Sequence, residues 1–262
     1  MTMKKIISGV AVATVALLLA ACGKAPAPPP AATQAPTAAE AIKAAVADTT
    51  RLPEARVRDP FRKPAEILSF AGVSPGQTII ELAPGGGYDT ALLSRVVGPT
   101  GKVYSIDSDR LFQYRPNLRD AFSKYIAKDP RDNVEYSVQS MDALDVPDNV
   151  DQIWVDMFYH DTVWLGVDRV AMDKGFFDHL KPGGTLLVVD HRALPGTGEK
   201  ICGELHRIDP AIVQKELEAA GFKLAAESDV LANPADPHTI SVFDDSIRGR
   251  TDRFVFKFVK PQ

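Results

Sequence analysis

Cysteine is scarce in this chain: among 262 residues only Cys22 and Cys202 occur. Two thiols cannot make the disulfide framework of a small secreted scaffold, so packing must hold the folded part together. An excess of positive charge is missing as well. Lys and Arg number 30 against 34 Asp and Glu, a formal net charge of −4, and loss of Lys4 and Lys5 with a cleaved leader makes the balance more negative still. No basic face is then available to displace phosphate counterions, which argues against a nucleic-acid binder and for a small or weakly charged partner. Long apolar runs are lacking too. The one at the start, Ile6 to Ala20, covers 15 residues, short of the roughly 20 that span a bilayer as a helix. No internal repeat is found.

What is present begins with a leader. Lys4 and Lys5 give a positive start, the apolar run follows, and small side chains close it, the pattern of a secretion signal over residues 1–22. Leu19-Ala20-Ala21-Cys22 resembles the bacterial lipobox, which implies cleavage before Cys22, lipidation of its thiol and attachment to a membrane. The alternative is a conventional signal cleaved nearby, with Cys22 incidental. Gly23 lacks the Asp of an inner-membrane retention signal, so the resemblance implies the periplasmic face of the outer membrane. Residues 23–50 are rich in Ala, Pro, Thr and Gln and are expected to form a tether, with a weak helix over Ala38 to Ala47.

Residues 51–262 are expected to form one domain, since 45% hydrophobic and 24% charged residues suit a single sizeable core. Strands and helices alternate as a parallel α/β sheet requires. Strands are expected at Thr78–Leu82, Lys102–Ile106, Val134–Val138, Asp151–Phe158, Thr185–Val189, Phe222–Ala226 and Arg253–Val259. Helices are expected at Arg62–Ala71, Thr90–Val97, Arg110–Ala127, Val167–Leu180 and from Pro210, capped by Asp209, to Gly221.

Between the first strand and its helix stands Glu81-Leu82-Ala83-Pro84-Gly85-Gly86-Gly87-Tyr88. Glycines there let the backbone turn tightly and approach a ligand, and the next helix offers free amides. Asp107 follows Gly87 by 20 residues at the end of the second strand, where a carboxylate can accept hydrogen bonds from ribose hydroxyls. A dinucleotide site would need a third glycine and bare amides where Tyr88 stands.

These features resemble the class I S-adenosylmethionine-dependent methyltransferases, over about Pro64 to Pro261. The resemblance implies a Rossmann-like fold with a seven-stranded, mostly parallel sheet and helices on both faces. It also implies S-adenosylmethionine as cofactor, with Glu81, Ala83, Gly85 and Gly87 around the methionine and ribose portion. Asp107 would hold the ribose, Asp142 the adenine amine, and Met141 the ring. Ala83 stands where the family usually has glycine and asks for a wider turn. Stretches such as Arg58-Asp59-Pro60, Tyr159-His160-Asp161 and Asp190-His191 further resemble a group of exported bacterial methyltransferase-like lipoproteins.

In this fold the acceptor approaches over the carboxyl ends of strands four and five, which makes Tyr159, His160, Asp161, Asp190 and His191 the catalytic candidates. Histidine suits proton removal near neutral pH; the alternative is that both histidines only bond loop backbone. Histidines and aspartates near one cleft also invite zinc or iron, but the spacing fits no closed metal signature, the residues come from separate loops, and no metal ligand is assigned. Cys202 has no identifiable activating partner. His206, Arg207, Arg248, Arg250 and Arg253 are candidates for an acidic acceptor or for pairing with nearby aspartates. The expected activity is methyl transfer to a small acceptor. Because S-adenosylmethionine is a cytoplasmic metabolite, a non-catalytic nucleoside-binding module is the competing expectation.

Overall fold

The computed structural model describes residues 35–262. Cys22, the leader and the first part of the tether lie outside the described residues. The compact unit spans Ala35–Gln262, so it begins before the boundary expected at residue 51. The reason is the helix α1 (Ala38–Ala47), opened by a capping box in which the Thr37 hydroxyl accepts from the Glu40 amide and Glu40 accepts from the Thr37 amide. Its Ala41, Ile42 and Ala45 are buried among Leu92, Val96 and Val97. The small alanines that suggested a tether form one face of a docked helix.

Two one-turn helices, α2 (Pro53–Arg56) and α3 (Asp59–Arg62), lead into α4 (Pro64–Ala71), then β1 (Thr78–Leu82), α5 (Tyr88–Val97) and β2 (Lys102–Ser108). The single helix expected over Arg110–Ala127 is broken at Pro116 into α6 (Asp109–Tyr114), a 3-10 turn and α7 (Ala121–Ile126), because proline has no amide to continue the ladder. Then come β3 (Val134–Gln139), β4 (Val150–Asp156), α8 (Tyr159–Trp164), α9 (Arg169–His179), β5 (Leu180–His191), α10 (Lys200–Leu205), α11 (Pro210–Ala219), β6 (Lys223–Ser228) and β7 (Arg253–Val259). Asp209 caps α11 as its sequence predicts, accepting from the Ala211 amide at 3.0 Å.

All seven strands form one sheet in the order β3-β2-β1-β4-β5-β7-β6. The first five strands pair in parallel, and β7 runs antiparallel to both neighbours. Successive side chains of a strand point to opposite faces, and both faces are buried. Ile80, Leu82, Ile153, Val155, Leu186 and Val188 pack on one side, and Ile79, Val103, Trp154, Leu187 and Val189 on the other. Helices α9 and α11 cover the first side, and α1, α4 and α5 the second. Among the described residues no helix is long and apolar enough to cross a membrane.

The docking of α1 has a direct test. Ile42→Ala should lower unfolding free energy by about 2–4 kcal/mol, the usual loss for a buried Ile truncated to Ala, read as an earlier midpoint in urea. An unchanged midpoint would mean that the helix is not packed.

Candidate active site

Parallel strands bring their carboxyl ends to one edge, and the order β2-β1-β4-β5 puts the glycine turn after β1 between the end of β2 and the ends of β4 and β5. The widest surface crevices lie elsewhere. One, of about 560 Å³, is lined by Ser94, Gly98, Lys102 and Asn133 at the amino ends of β2 and β3, away from the converging polar groups, so the chemistry and not the crevice size marks the site.

On the first half of the edge, Ala83 sits at φ 51°, Gly85 at 53° and Gly87 at 74°. Ala83 thus takes the left-handed conformation that glycine would take freely, at a cost of roughly 1–2 kcal/mol, while its amide is fixed to the Ile106 carbonyl at 2.7 Å. Gly87 is demanded twice over, since a Cβ there would lie 2.1 Å from the Tyr125 ring. Beneath the turn, Glu81 is buried and accepts the hydroxyls of Thr90 (2.6 Å) and Ser105 (2.7 Å). Burial pushes it up to about 7 against those hydrogen bonds. Glu81 therefore holds the turn onto β2 and α5 from inside.

Asp107, the penultimate residue of β2, is also buried. Burial raises it to about 6, opposed by the Tyr136 hydroxyl, which donates at 2.9 Å, and by the Gly85 amide. Asp142 lies partly open after β3, where Ser140 (2.6 Å), Arg110 (3.0 Å) and the Asp168 amide (3.2 Å) donate to it. These donors hold its carboxyl below the usual range, the Ser140 hydroxyl most strongly. Met141 is buried inside the core cluster beside Ile106.

The sequence did not reveal what closes the turn from the other side. The Tyr88 hydroxyl donates to Asp59 at 2.8 Å, and Arg58 and Arg62 lie over its ring at 4.8 and 4.6 Å. Arg51, fully buried, grips Asp59 with two bonds of 2.8 Å. Arg62 also bridges Asp89 and Asp156. The Asp156 Oδ1 is buried at the end of β4, beside Asp89, whose carboxyl burial and the Asp156 charge push well up, so a proton shared between the two acids satisfies it. The Arg58-Asp59-Pro60 stretch was the one visible sign of this layer.

On the second half, Asp190 is fully buried at the end of β5. It accepts from the His160 amide (2.8 Å), the His160 Nδ1 (2.7 Å) and the His191 amide (2.7 Å). Burial works against a charge on His160, but Asp190 and Asp161 outweigh it and raise the imidazole to about 10. His191 contacts the Thr251 hydroxyl through Nδ1 at 2.7 Å and lies 5.6 Å from the His160 ring. Burial, then the charges of His160 and Arg253, push it well below its ordinary value, so it is neutral and only weakly basic.

Asp161 stands next to His160 and His206, with its Oδ1 3.1 Å from a ring nitrogen of each. His206, named in the sequence only as a possible acceptor contact, is thus part of the cluster.

Three candidates fall away from it. Tyr159 is buried with its hydroxyl between Asp173 (2.8 Å) on α9 and Glu216 (2.9 Å) on α11. One hydroxyl proton cannot serve two carboxylates, and Asp173, pushed up to about 7 by burial, carries the second. Tyr159 is a core strut and not a partner of the histidines, because the first turn of α8 points successive side chains in different directions. Arg207 is fully buried and bound to both oxygens of Asp236 (3.0 and 2.9 Å), so it cannot meet an acceptor. Cys202 is buried in the core and its thiol is pushed up to about 12, first by burial.

The family profile for protein-L-isoaspartate(D-aspartate) O-methyltransferase matches residues 60–218. The chain belongs to this methyltransferase family. Methyltransferases of this kind use S-adenosylmethionine, which is the cofactor here too. Over 129 residues the chain is 36% identical to the ubiquinone/menaquinone biosynthesis C-methyltransferase UbiE of Salmonella arizonae, covering 47% of this chain and 46% of that enzyme. The match therefore spans about half the length of these curated relatives.

A methyltransferase of Aquifex aeolicus described as S-adenosylmethionine dependent superposes with a TM-score of 0.58 at 20% identity, over 80% of this chain and 94% of that one. The [4+2]-cyclase SpnF gives 0.56 at 15% identity, over 87% and 97%. At such identities these structures share the methyltransferase fold alone. The buried Asp107 beside the Gly85 amide, at the end of β2 next to the glycine turn, fits a cofactor that brings ribose hydroxyls.

Glu81 generates a pH prediction. Its acidity is weakened in the fold, from the ordinary 4.5 to about 7, so the folded state binds a proton that the unfolded chain has lost. Stability of the ligand-free protein should fall as pH rises from about 4.5 to 7, by about 3 kcal/mol at most from this group. Glu81→Gln should flatten the fall in urea titrations across that range; a profile parallel to wild type would place the proton elsewhere.

Proposed function

We propose that this protein transfers the methyl group of S-adenosylmethionine to a small acceptor bearing an oxygen, nitrogen or sulfur nucleophile. The observation that carries the reading is the shared sheet edge: the buried acid Asp107 and the neutral His191 stand on either side of the glycine turn. When bound, the cofactor supplies an activated methyl: the acceptor lone pair forms the new bond to carbon while the carbon–sulfur bond breaks with its pair on sulfur.

Asp107 holds the ribose hydroxyls, and the turn admits the rest of the cofactor beside Gly85, where no Cβ stands and the space is open. Asp142 holds the adenine amine through the lone pair that Ser140 leaves open on Oδ1, Arg110 and the Asp168 amide filling Oδ2. Met141 and Glu81, buried as they are, support the pocket wall. His191, weakly basic, takes the proton on its free ring nitrogen once the new bond to carbon has made the acceptor strongly acidic, and Asp190 orients the His191 amide and the His160 ring. His160, already charged, is a poor base. The chief work of the protein is alignment and exclusion of water.

The second part of the proposal is the setting. Cleavage before Cys22 and its lipidation would hold the domain at a membrane face, in the exported group that the sequence resembles. Cys22→Ala should then move the protein from membrane to soluble fractions and leave no lipid on the N-terminus by mass spectrometry. Unchanged anchoring would remove this part of the account.

Turnover tests the first part. Incubated with methyl-labelled S-adenosylmethionine and pools of small hydroxyl, amine and thiol compounds, the protein should release S-adenosylhomocysteine. His191→Gln should slow this about 100-fold or more, the range for a lost general base, with cofactor affinity unchanged. Tight cofactor binding without transfer to any pool would favour the non-catalytic reading.

A further inference from the structure

Three side chains from two separated segments converge at the acceptor end of the cleft. His160 Nε2, His206 Nδ1 and Asp161 Oδ1 form a triangle with sides of 3.2, 3.1 and 3.1 Å. Ligands bound at about 2.0–2.1 Å stand about 2.8–3.0 Å apart around an octahedral ion and about 3.3–3.4 Å apart around a tetrahedral one, so the triangle already has the dimensions of one face of a coordination shell.

Hydrogen bonding alone accounts poorly for the arrangement. Asp161 Oδ1 accepts the Trp164 indole N–H at 2.6 Å. If both imidazoles also donated to it, three donors would crowd one oxygen that offers about two lone pairs. An ion in the triangle would displace the His160 Nε2 proton to solvent, take one lone pair from each of the three atoms and leave the second on Asp161 for Trp164.

The surroundings match what ligating groups need. His160 Nδ1 bonds the buried Asp190 at 2.7 Å, the carboxylate–histidine pairing that directs the other ring nitrogen at a metal. Trp164 fixes Asp161 in the same way. His206 closes α10 at φ 54°, and its ring rests edge-on against Phe243 at 4.8 Å. The three side chains are mostly buried but not sealed, with Asp161 16% and His206 13% exposed, so an ion has a way in and open positions.

We propose that His160, Asp161 and His206 form a binding site for a divalent transition-metal ion, with Asp190 and Trp164 as positioning residues. Two imidazoles and one carboxylate on one face select zinc or ferrous iron over calcium or magnesium, which prefer all-oxygen shells. The role of the ion, though not its binding, rests on the methyltransferase reading: its open positions face the acceptor side and would hold the acceptor heteroatom beside His191.

The test uses the full chain without a polyhistidine tag, stripped with chelator and titrated with Zn²⁺ by calorimetry and with Co²⁺ by visible absorption. One ion per chain is expected, with cobalt bands and a higher melting temperature. His206→Asn, which tolerates the left-handed backbone, and Asp161→Asn should each weaken binding at least tenfold, and Asp190→Asn about 10–100-fold. His179→Gln, at the carboxyl end of α9 where the half-buried imidazole pairs with Asp148, should bind as wild type.

Melting and S-adenosylmethionine affinity measured on the same samples show whether a variant still folds. Ion loss in a variant that melts and binds cofactor like the stripped wild type supports the site. Absence of saturable one-to-one binding, or equal binding in all variants, overturns it. Ion binding without cofactor binding in wild type would retain the metal site and sink the methyltransferase reading.

Discussion

A carboxylate buried at the end of β5 sets the geometry of the acceptor side. Asp190 is fully enclosed, and withdrawing its charge from water costs several kcal/mol unless its lone pairs are filled. Three N–H groups fill them: two from His160 and one from the His191 backbone. Those bonds lock the first turn of α8 to the sheet edge, set the tautomer and tilt of His160, and place His191 beside it. The position of Asp161 and its meeting with His206 follow from the same lock. Glu81 does the equivalent work at the other half, where two hydroxyls draw β2 and α5 under the glycine turn.

The two halves meet because of strand order. Parallel strands present their carboxyl ends together, and the reversal of direction on either side of β1 opens the crevice where this fold binds ligands. Function therefore depends on loops that follow strands, while the strands themselves are near-continuous apolar runs packed on both faces. The cost of the arrangement is visible at Ala83, Met157 and His206, all non-glycine residues at positive φ, each at the end of an element that shapes the site.

Much of the fold was legible because its signals are local. Apolar runs marked the central strands and alternating ones the edge strands β3 and β6, and Asp209-Pro210 marked the start of α11 as it stands in the structure. Pro116 was equally visible, yet its break within Arg110–Ala127 was overlooked. The docked α1 was misjudged because alanines bury little surface each, and only the partner face on α5 shows that they pack.

At the site, the glycine turn and Asp107 were legible as motifs on one short stretch. The His160–Asp161–His206 triangle was not, since 160 and 206 are joined only by tertiary packing of α8 on α10 and carry no spacing signature. Tyr159 misled for the opposite reason: adjacency in sequence to His160 does not give a shared direction on a helix.

The most direct test of the central claim is calorimetric titration of residues 35–262 with S-adenosylmethionine, in wild type and in Asp107→Ala. The account predicts one-to-one binding that weakens at least tenfold in the variant, in keeping with about 1.5–3 kcal/mol for hydrogen bonds to a charged group. Equal affinity in the two proteins, or no binding by either, would contradict it.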